Sequence, residues 1–185
     1  MSSSKNKKYL SEDEVDQNQK FAAEEKARQV MERLKKLSLK LALAESCTAG
    51  IISGFLADIE GASSVLWGSF VCYTQEAKVS MLGLDNSALR ADGLICGKTA
   101  RAMAEGALNK SGADIAASVT GLAGPQGDGR NPVGTVWVSA VLRGSETERQ
   151  KTLVKEFHFN GARNFIRYQA AAAVLDEILN ILPAI

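Results

Sequence analysis

A strand-length apolar run that ends in a cluster of carboxylate, hydroxyl and thiol side chains, then opens at once into a helix, constrains this chain most. The run is Leu41-Ala42-Leu43-Ala44-Glu45-Ser46-Cys47-Thr48-Ala49-Gly50, and its apolar part reaches back to Leu39. Behind it, Ile51, Ile52, Phe55 and Leu56 recur at helical spacing. A buried strand followed by such a helix sets Ser46, Cys47 and Thr48 at a helix N-terminus. Free N–H groups and the positive dipole end favour developing negative charge there. Two readings follow: chemistry at this turn, or a Ser46 or Thr48 that merely caps the next helix.

The rest of the chain alternates helices with buried strands. Residues 1–13 are polar and of mixed charge, and read as a frayed extension ahead of one domain over 14–185. From Glu14 to Leu37, Ala23, Ala27, Val30, Leu34 and Leu37 share one helical face. After the 39–45 strand and its helix to Asp58, residues 65–73 read as a second strand, rich in aromatic and β-branched residues. Short helices over 74–82 and 86–90 lead to an amphipathic helix over 97–110, closed by Gly112. Asp114-Ile115-Ala116-Ala117-Ser118-Val119-Thr120 is a buried strand that runs into a glycine-rich loop over 121–132. Strands over 133–142 and 151–159 pair around a turn at 143–146, and the charges of the second mark it as a partly wet edge. A last helix covers 162–181. The sum is an α/β fold: a three-layer α/β/α sandwich with a mixed, mostly parallel sheet and a C-terminal hairpin.

Composition narrows the function classes. At 185 residues the chain accommodates one sizeable core. A net charge of +1 and 6% aromatic residues give neither the basic footprint nor the stacking platform of a nucleic-acid binder. No window reaches the ~18 consecutive apolar residues of a membrane span. The first residues lack the apolar stretch of a signal peptide, so the expected location is cytoplasmic. Cys47, Cys72 and Cys96 match no zinc or disulfide spacing. The single histidine, His158, lies between two aromatics and reads as structural.

Gly93-Leu94-Ile95-Cys96-Gly97-Lys98-Thr99 imitates a phosphate-binding P-loop, but only three residues separate its glycines where four are needed. The 121–132 loop is more informative. It follows a buried strand, where open α/β sheets bind ligands, and its glycines let backbone N–H groups approach an anion. A third strand exit ends in Tyr73, with Glu76 and Lys78 just beyond. If these exits converge, an uncharged Lys78 can act as base for Ser46 in place of a histidine. Burial and a helix N-terminus would lower the lysine pKa in the required sense. A competing arrangement uses Cys47 as a thiol nucleophile with Glu45 or Glu76 and Lys78, acting on another small amide.

Several blocks together resemble one family. They are Ala44-Glu45-Ser46-Cys47-Thr48-Ala49-Gly50, Tyr73-Thr74-Gln75-Glu76-Ala77-Lys78 with Leu82-Gly83, and Gly112-Ala113-Asp114-Ile115. Thr120-Gly121-Leu122-Ala123-Gly124-Pro125 and Pro132-Val133-Gly134-Thr135-Val136 complete the set, in order, between about Leu34 and Leu182. The pattern is similar to the C-terminal domain of the competence/damage-inducible protein CinA and to the nicotinamide-nucleotide amidases. That resemblance implies hydrolysis of the carboxamide of nicotinamide mononucleotide to nicotinic acid mononucleotide and ammonia. It further implies a Ser–Lys mechanism without metal or cofactor, in a homo-oligomer whose partner is a small molecule rather than nucleic acid or membrane.

Carried over by the resemblance, Ser46 is the nucleophile, Lys78 its base and Tyr73 an aid to their hydrogen-bond network. Cys47, Thr48, Thr120, Gly121, Ala123 and Gly124 line the substrate, and Arg163 takes its phosphate. Two departures stand out: Ala49 replaces a usual glycine, and Leu94-Ile95-Cys96-Gly97-Lys98 replaces a segment with a helix-capping serine and two acids. They leave open a non-catalytic, nucleotide-binding relative. No counterpart is expected of the pyrophosphatase domain often fused ahead of this one.

Overall fold

The computed structural model describes residues 12–145 and 149–184. Its elements are α1 (Glu12–Leu37), β1 (Leu41–Glu45), α2 (Ile51–Ala57), β2 (Leu66–Val71), α3 (Gln75–Leu82), α4 (Asn86–Asp92) and α5 (Gly97–Ser111). Then follow β3 (Ile115–Gly121), β4 (Thr135–Leu142), β5 (Lys151–His158) and α6 (Arg163–Ile181). The sheet has five strands in the order β2-β1-β3-β4-β5. β1 is parallel to both β2 and β3, whereas β4 is antiparallel to β3 and β5 to β4. Only β4 therefore runs against the other strands, so the sheet is mixed and mostly parallel.

Alternation along β1 assigns the two faces. Leu41 and Leu43 pack with α1, α2 and α6 in one core; Ala42 and Ala44 pack with α3, α4 and α5 in the other. The three layers expected from the sequence are present, with β5 at the wet edge. The order β2-β1-β3 puts β1 between two parallel partners, so all five of its residues are buried. It also brings the C-terminal ends of β1, β2 and β3 side by side.

Differences from the sequence reading sit at boundaries. Glu12 and Asp13 belong to α1 rather than to a frayed extension; residues 1–11 lie outside the described region. The expected turn at 143–146 ends in Glu146, which is also outside it. The larger correction concerns the helix N-terminus expected at Ser46, Cys47 and Thr48: α2 begins only at Ile51. Residues 46–50 form a separate turn, in which Ala49 and Gly50 take positive φ of 52° and 90°.

Candidate active site

Ser46 follows directly on β1 and keeps the parity of Ala42 and Ala44, so it projects toward α3 and α5. Cys72, just past β2, donates its backbone N–H to the Glu45 carbonyl and holds the second strand exit beside the first. The chain then turns through Thr74, whose hydroxyl accepts from Ala77 N and caps α3. One turn into that helix, Lys78 points back under the strand ends.

Lys78 is 1% exposed. Its Nζ donates to Ser46 Oγ at 3.1 Å and to the Cys72 carbonyl at 2.8 Å. No ion pair with a carboxylate is present for it among the described residues. Burial, the largest influence, pushes its amine below the ordinary lysine value, while Cys72 and then Cys47 pull the other way. A lysine with only a hydroxyl and a carbonyl as partners is well suited to the neutral form. It can then accept a proton from the Ser46 hydroxyl.

A cavity of about 210 Å³ opens over this pair. Ser46, Cys47, Tyr73 and Lys78 form one side; Thr120, Gly121, Leu122, Ala123, Gly124 and Gln126 form another, with Leu94, Ile95 and Arg163 around the mouth. The three strand exits singled out in the sequence converge here. The Thr120 hydroxyl donates to the Leu94 carbonyl at 2.9 Å, tying β3 to the connection between α4 and α5. Asn131 Nδ2 donates to the Ile95 carbonyl and, at 3.1 Å, to Asp128, which braces the glycine loop against the same connection. The unusual Leu94-Ile95 segment is thus a wall of the cavity. Within it, Cys96 still caps α5, accepting from Thr99 N at 3.4 Å as a serine would. Gly93 ends α4 and no strand precedes it, which disposes of the P-loop imitation.

Several sequence assignments land elsewhere. The Tyr73 hydroxyl lies 2.6 Å from Arg163 Nη2, whose fork also donates to the Gly124 carbonyl. Tyr73 therefore joins an arginine at the mouth instead of the Ser46–Lys78 pair. Thr48 is fully buried and is absent from the cavity lining; its hydroxyl donates to Glu45 at 2.8 Å. Gly121 does line the cavity, but β4 dictates its identity. A Cβ there would meet the Thr135 carbonyl oxygen at 2.7 Å.

Glu45 is the main feature that the sequence reading misplaced. Its carboxylate accepts from Gly50 N, Ile52 N and Ser53 N at 3.0, 3.2 and 3.0 Å, and from Ser69 Oγ at 3.1 Å. It thus occupies the N-terminus of α2, and those N–H groups are closed to a reacting oxyanion. It is equally closed to Cys47 as a catalytic carboxylate. Glu76, the other carboxylate weighed, is exposed, and hydrogen bonds from its own backbone N–H and then Thr74 lower its pKa. Burial pushes the Cys47 thiol up to about 12. Arg167, which drew no attention in the sequence, donates to the carbonyls of Cys47 and Thr48 at 3.2 and 2.9 Å. Its signal was its position one turn beyond Arg163 on the same helical face.

Among the described residues no group of three or more His, Cys, Asp or Glu is placed to hold a metal ion. No described helix is long and apolar enough to cross a membrane.

Comparison with known proteins places the chain in a family. Residues 23–182 match the family model described as the CinA C-terminal domain. A CinA-like protein of Akkermansia muciniphila is 42% identical over 139 residues, covering 75% of this chain and 33% of the relative. A CinA-like protein of Syntrophomonas wolfei is 40% identical over 138 residues, 74% of this chain and 32% of its own length. The chain thus spans about a third of the length of the curated relatives it matches. Among solved structures, competence/damage inducible protein CihA from Agrobacterium tumefaciens is similar, with a TM-score of 0.79 and 35% identity. The likeness covers 86% of this chain and 94% of that one. A competence-damaged protein (CinA) superfamily protein from Escherichia coli gives 0.78 at 30% identity, covering 86% and 90%. The fold, the converging strand ends and these matches together make the chain a member of the CinA C-terminal domain family.

Proposed function

We propose that the protein is an amidohydrolase that cleaves the carboxamide of nicotinamide mononucleotide through a seryl acyl-enzyme on Ser46. The observation that carries this reading is Lys78 Nζ at 3.1 Å from Ser46 Oγ, buried and without a carboxylate partner among the described residues. Neutral Lys78 takes the hydroxyl proton as Ser46 Oγ bonds to the carboxamide carbon. The resulting lysinium returns the proton to the leaving nitrogen as the C–N bond breaks, and ammonia departs. Water, deprotonated by Lys78, then attacks the ester; the C–O bond to Ser46 breaks, Lys78 returns the proton to Ser46, and the product acid loses its own proton to solvent and leaves as a carboxylate. The Cys47 N–H, beside the nucleophile, donates to no carbonyl among the described residues and is the candidate donor for the oxyanion.

Support for an anionic nucleotide comes from the mouth. Arg163 lines the cavity, no Asp or Glu does among the described residues, and a guanidinium suits a phosphate geometrically. Against a Cys47 mechanism stand the buried, raised thiol and the engagement of Glu45 elsewhere. The reading of a binding protein without turnover drew on Ala49 and Cys96; the turn holds the first and the second still caps its helix.

Ammonia release from nicotinamide mononucleotide, measured with purified protein, tests the proposal. Release well above that of Ser46→Ala is expected. Equal release by the two proteins would overturn it. Full activity in Cys47→Ala would eliminate the thiol alternative.

A further inference from the structure

The turn that carries Ser46 is strained. Ala49 sits at φ 52°, in the left-handed region that L-residues rarely adopt. Such a conformation persists where its surroundings over-determine it. Here two ionic side chains grip the turn from different elements. Glu45, at the end of β1, gathers the Thr48 hydroxyl and the N–H groups of Gly50, Ile52 and Ser53. Arg167, on α6, takes the two consecutive carbonyls of Cys47 and Thr48 with Nε and Nη2. Its remaining Nη1 is fixed by Asn164 Oδ1 at 3.1 Å, one turn back on the same helix.

The contacts have opposite polarity. The carboxylate collects donors from the far side of the turn, and the guanidinium collects acceptors from its near side. Glu45 holds the Thr48 side chain and the N–H groups that follow, and Arg167 sets the peptide planes on both sides of Thr48. A planar fork does this in a way that a point charge does not, because two carbonyls must lie in register with two N–H groups. Arg167 itself is absent from the cavity lining, although Arg163, four residues earlier, is part of it. One face of α6 therefore presents one arginine to the mouth and the next to the backbone that holds the nucleophile.

We infer that Arg167 is a positioning residue: by holding the Cys47 and Thr48 carbonyls, it fixes the turn that aims Ser46 at Lys78. The catalytic part of this inference rests on the amidase reading above. The structural part does not, and the buried Cys47 reports on it directly. Cys47 lies inside the gripped turn at 4% exposure, so its rate of alkylation rises as the turn loosens.

The test compares wild type with Arg167→Met, which keeps the apolar stem, and with Arg167→Lys, which keeps the charge but loses the fork. Iodoacetamide labelling at neutral pH, resolved by mass spectrometry, follows Cys47 against Cys96 as an internal reference. The expected result for Arg167→Met is Cys47 labelling at least tenfold faster, with Cys96 unchanged. Turnover of nicotinamide mononucleotide is expected to fall about a hundredfold in kcat with KM little altered, and added guanidinium should restore part of it. Should the methionine variant fail to fold, the lysine variant is read the same way, with intermediate values. Unchanged Cys47 labelling would overturn the inference whatever the activity. A rise in KM alone would also overturn it, making Arg167 a substrate contact. Faster labelling in a protein whose wild type releases no ammonia would keep the grip on the turn and sink the amidase reading instead.

Discussion

Lys78 Nζ and Ser46 Oγ lie 3.1 Å apart although 32 positions separate the two residues in the chain. Replacing Lys78 by methionine keeps most of the volume and removes both the base and the cost of burying an amine. Turnover should drop by about 10²–10⁴-fold, the usual contribution of a positioned base. Thermal stability should hold or rise, because an unpaired buried ammonium is costly. Ammonia assays and melting curves on the same preparation check both halves.

The amine also sets a pH signature. Its folded-state value lies below the ordinary 10.5, so between the two the unfolded chain binds more protons than the folded one. Stability therefore rises with pH across that window. The burial penalty is constant below the lowered value and gone above 10.5. The stability gap between Lys78→Met and wild type, followed by urea denaturation across pH, should close toward the alkaline end. In the proposed mechanism, kcat/KM climbs through the same lowered value. An activity limb that appears only near 10.5 would argue against a depressed lysine.

Ala49→Gly is expected to stabilise the protein. Relief of left-handed strain is worth roughly 1–2 kcal/mol, offset by about 0.5–1 kcal/mol for the freer unfolded chain. The net gain is therefore about 0–1.5 kcal/mol, visible as a higher urea midpoint at unchanged slope. The substitution installs the glycine that the resembled family usually has at this turn.

Gly121→Ala should do the reverse. The added Cβ would stand 2.7 Å from the Thr135 carbonyl oxygen and 2.9 Å from Val136 Cα. These are backbone atoms of the neighbouring strand, so β3 and β4 must separate, at about 1–3 kcal/mol. A lower melting temperature in the absence of any ligand would place the demand for glycine in the sheet rather than in substrate contact.

Much of this was readable beforehand, for reasons that can be named. The short helix expected over 74–82 is present as α3, one residue shorter because the Thr74 hydroxyl caps it, and the left-handed Gly83, at φ 75°, closes it. The mixed charges along β5 marked an edge, and β5 is an edge. Lys78 was harder. By composition a lone helical lysine belongs in solvent, and only the packing of α3 against the strand ends buries it. Glu45 misled for a related reason: a carboxylate before a helix invites a catalytic role, while its five donors come from 48, 50, 52, 53 and 69.

The amino-acid sequence by itself determined the elements, their order and the two-faced strand that begins the site, because periodicity and turn chemistry act over a few residues. Tertiary structure decided which exits meet. The order β2-β1-β3 sets Lys78 under Ser46, and the packing of α6 brings Arg167 onto the nucleophile turn. Those contacts are fixed by crossover connections and by which helix covers which face, and no short stretch of residues carries that information.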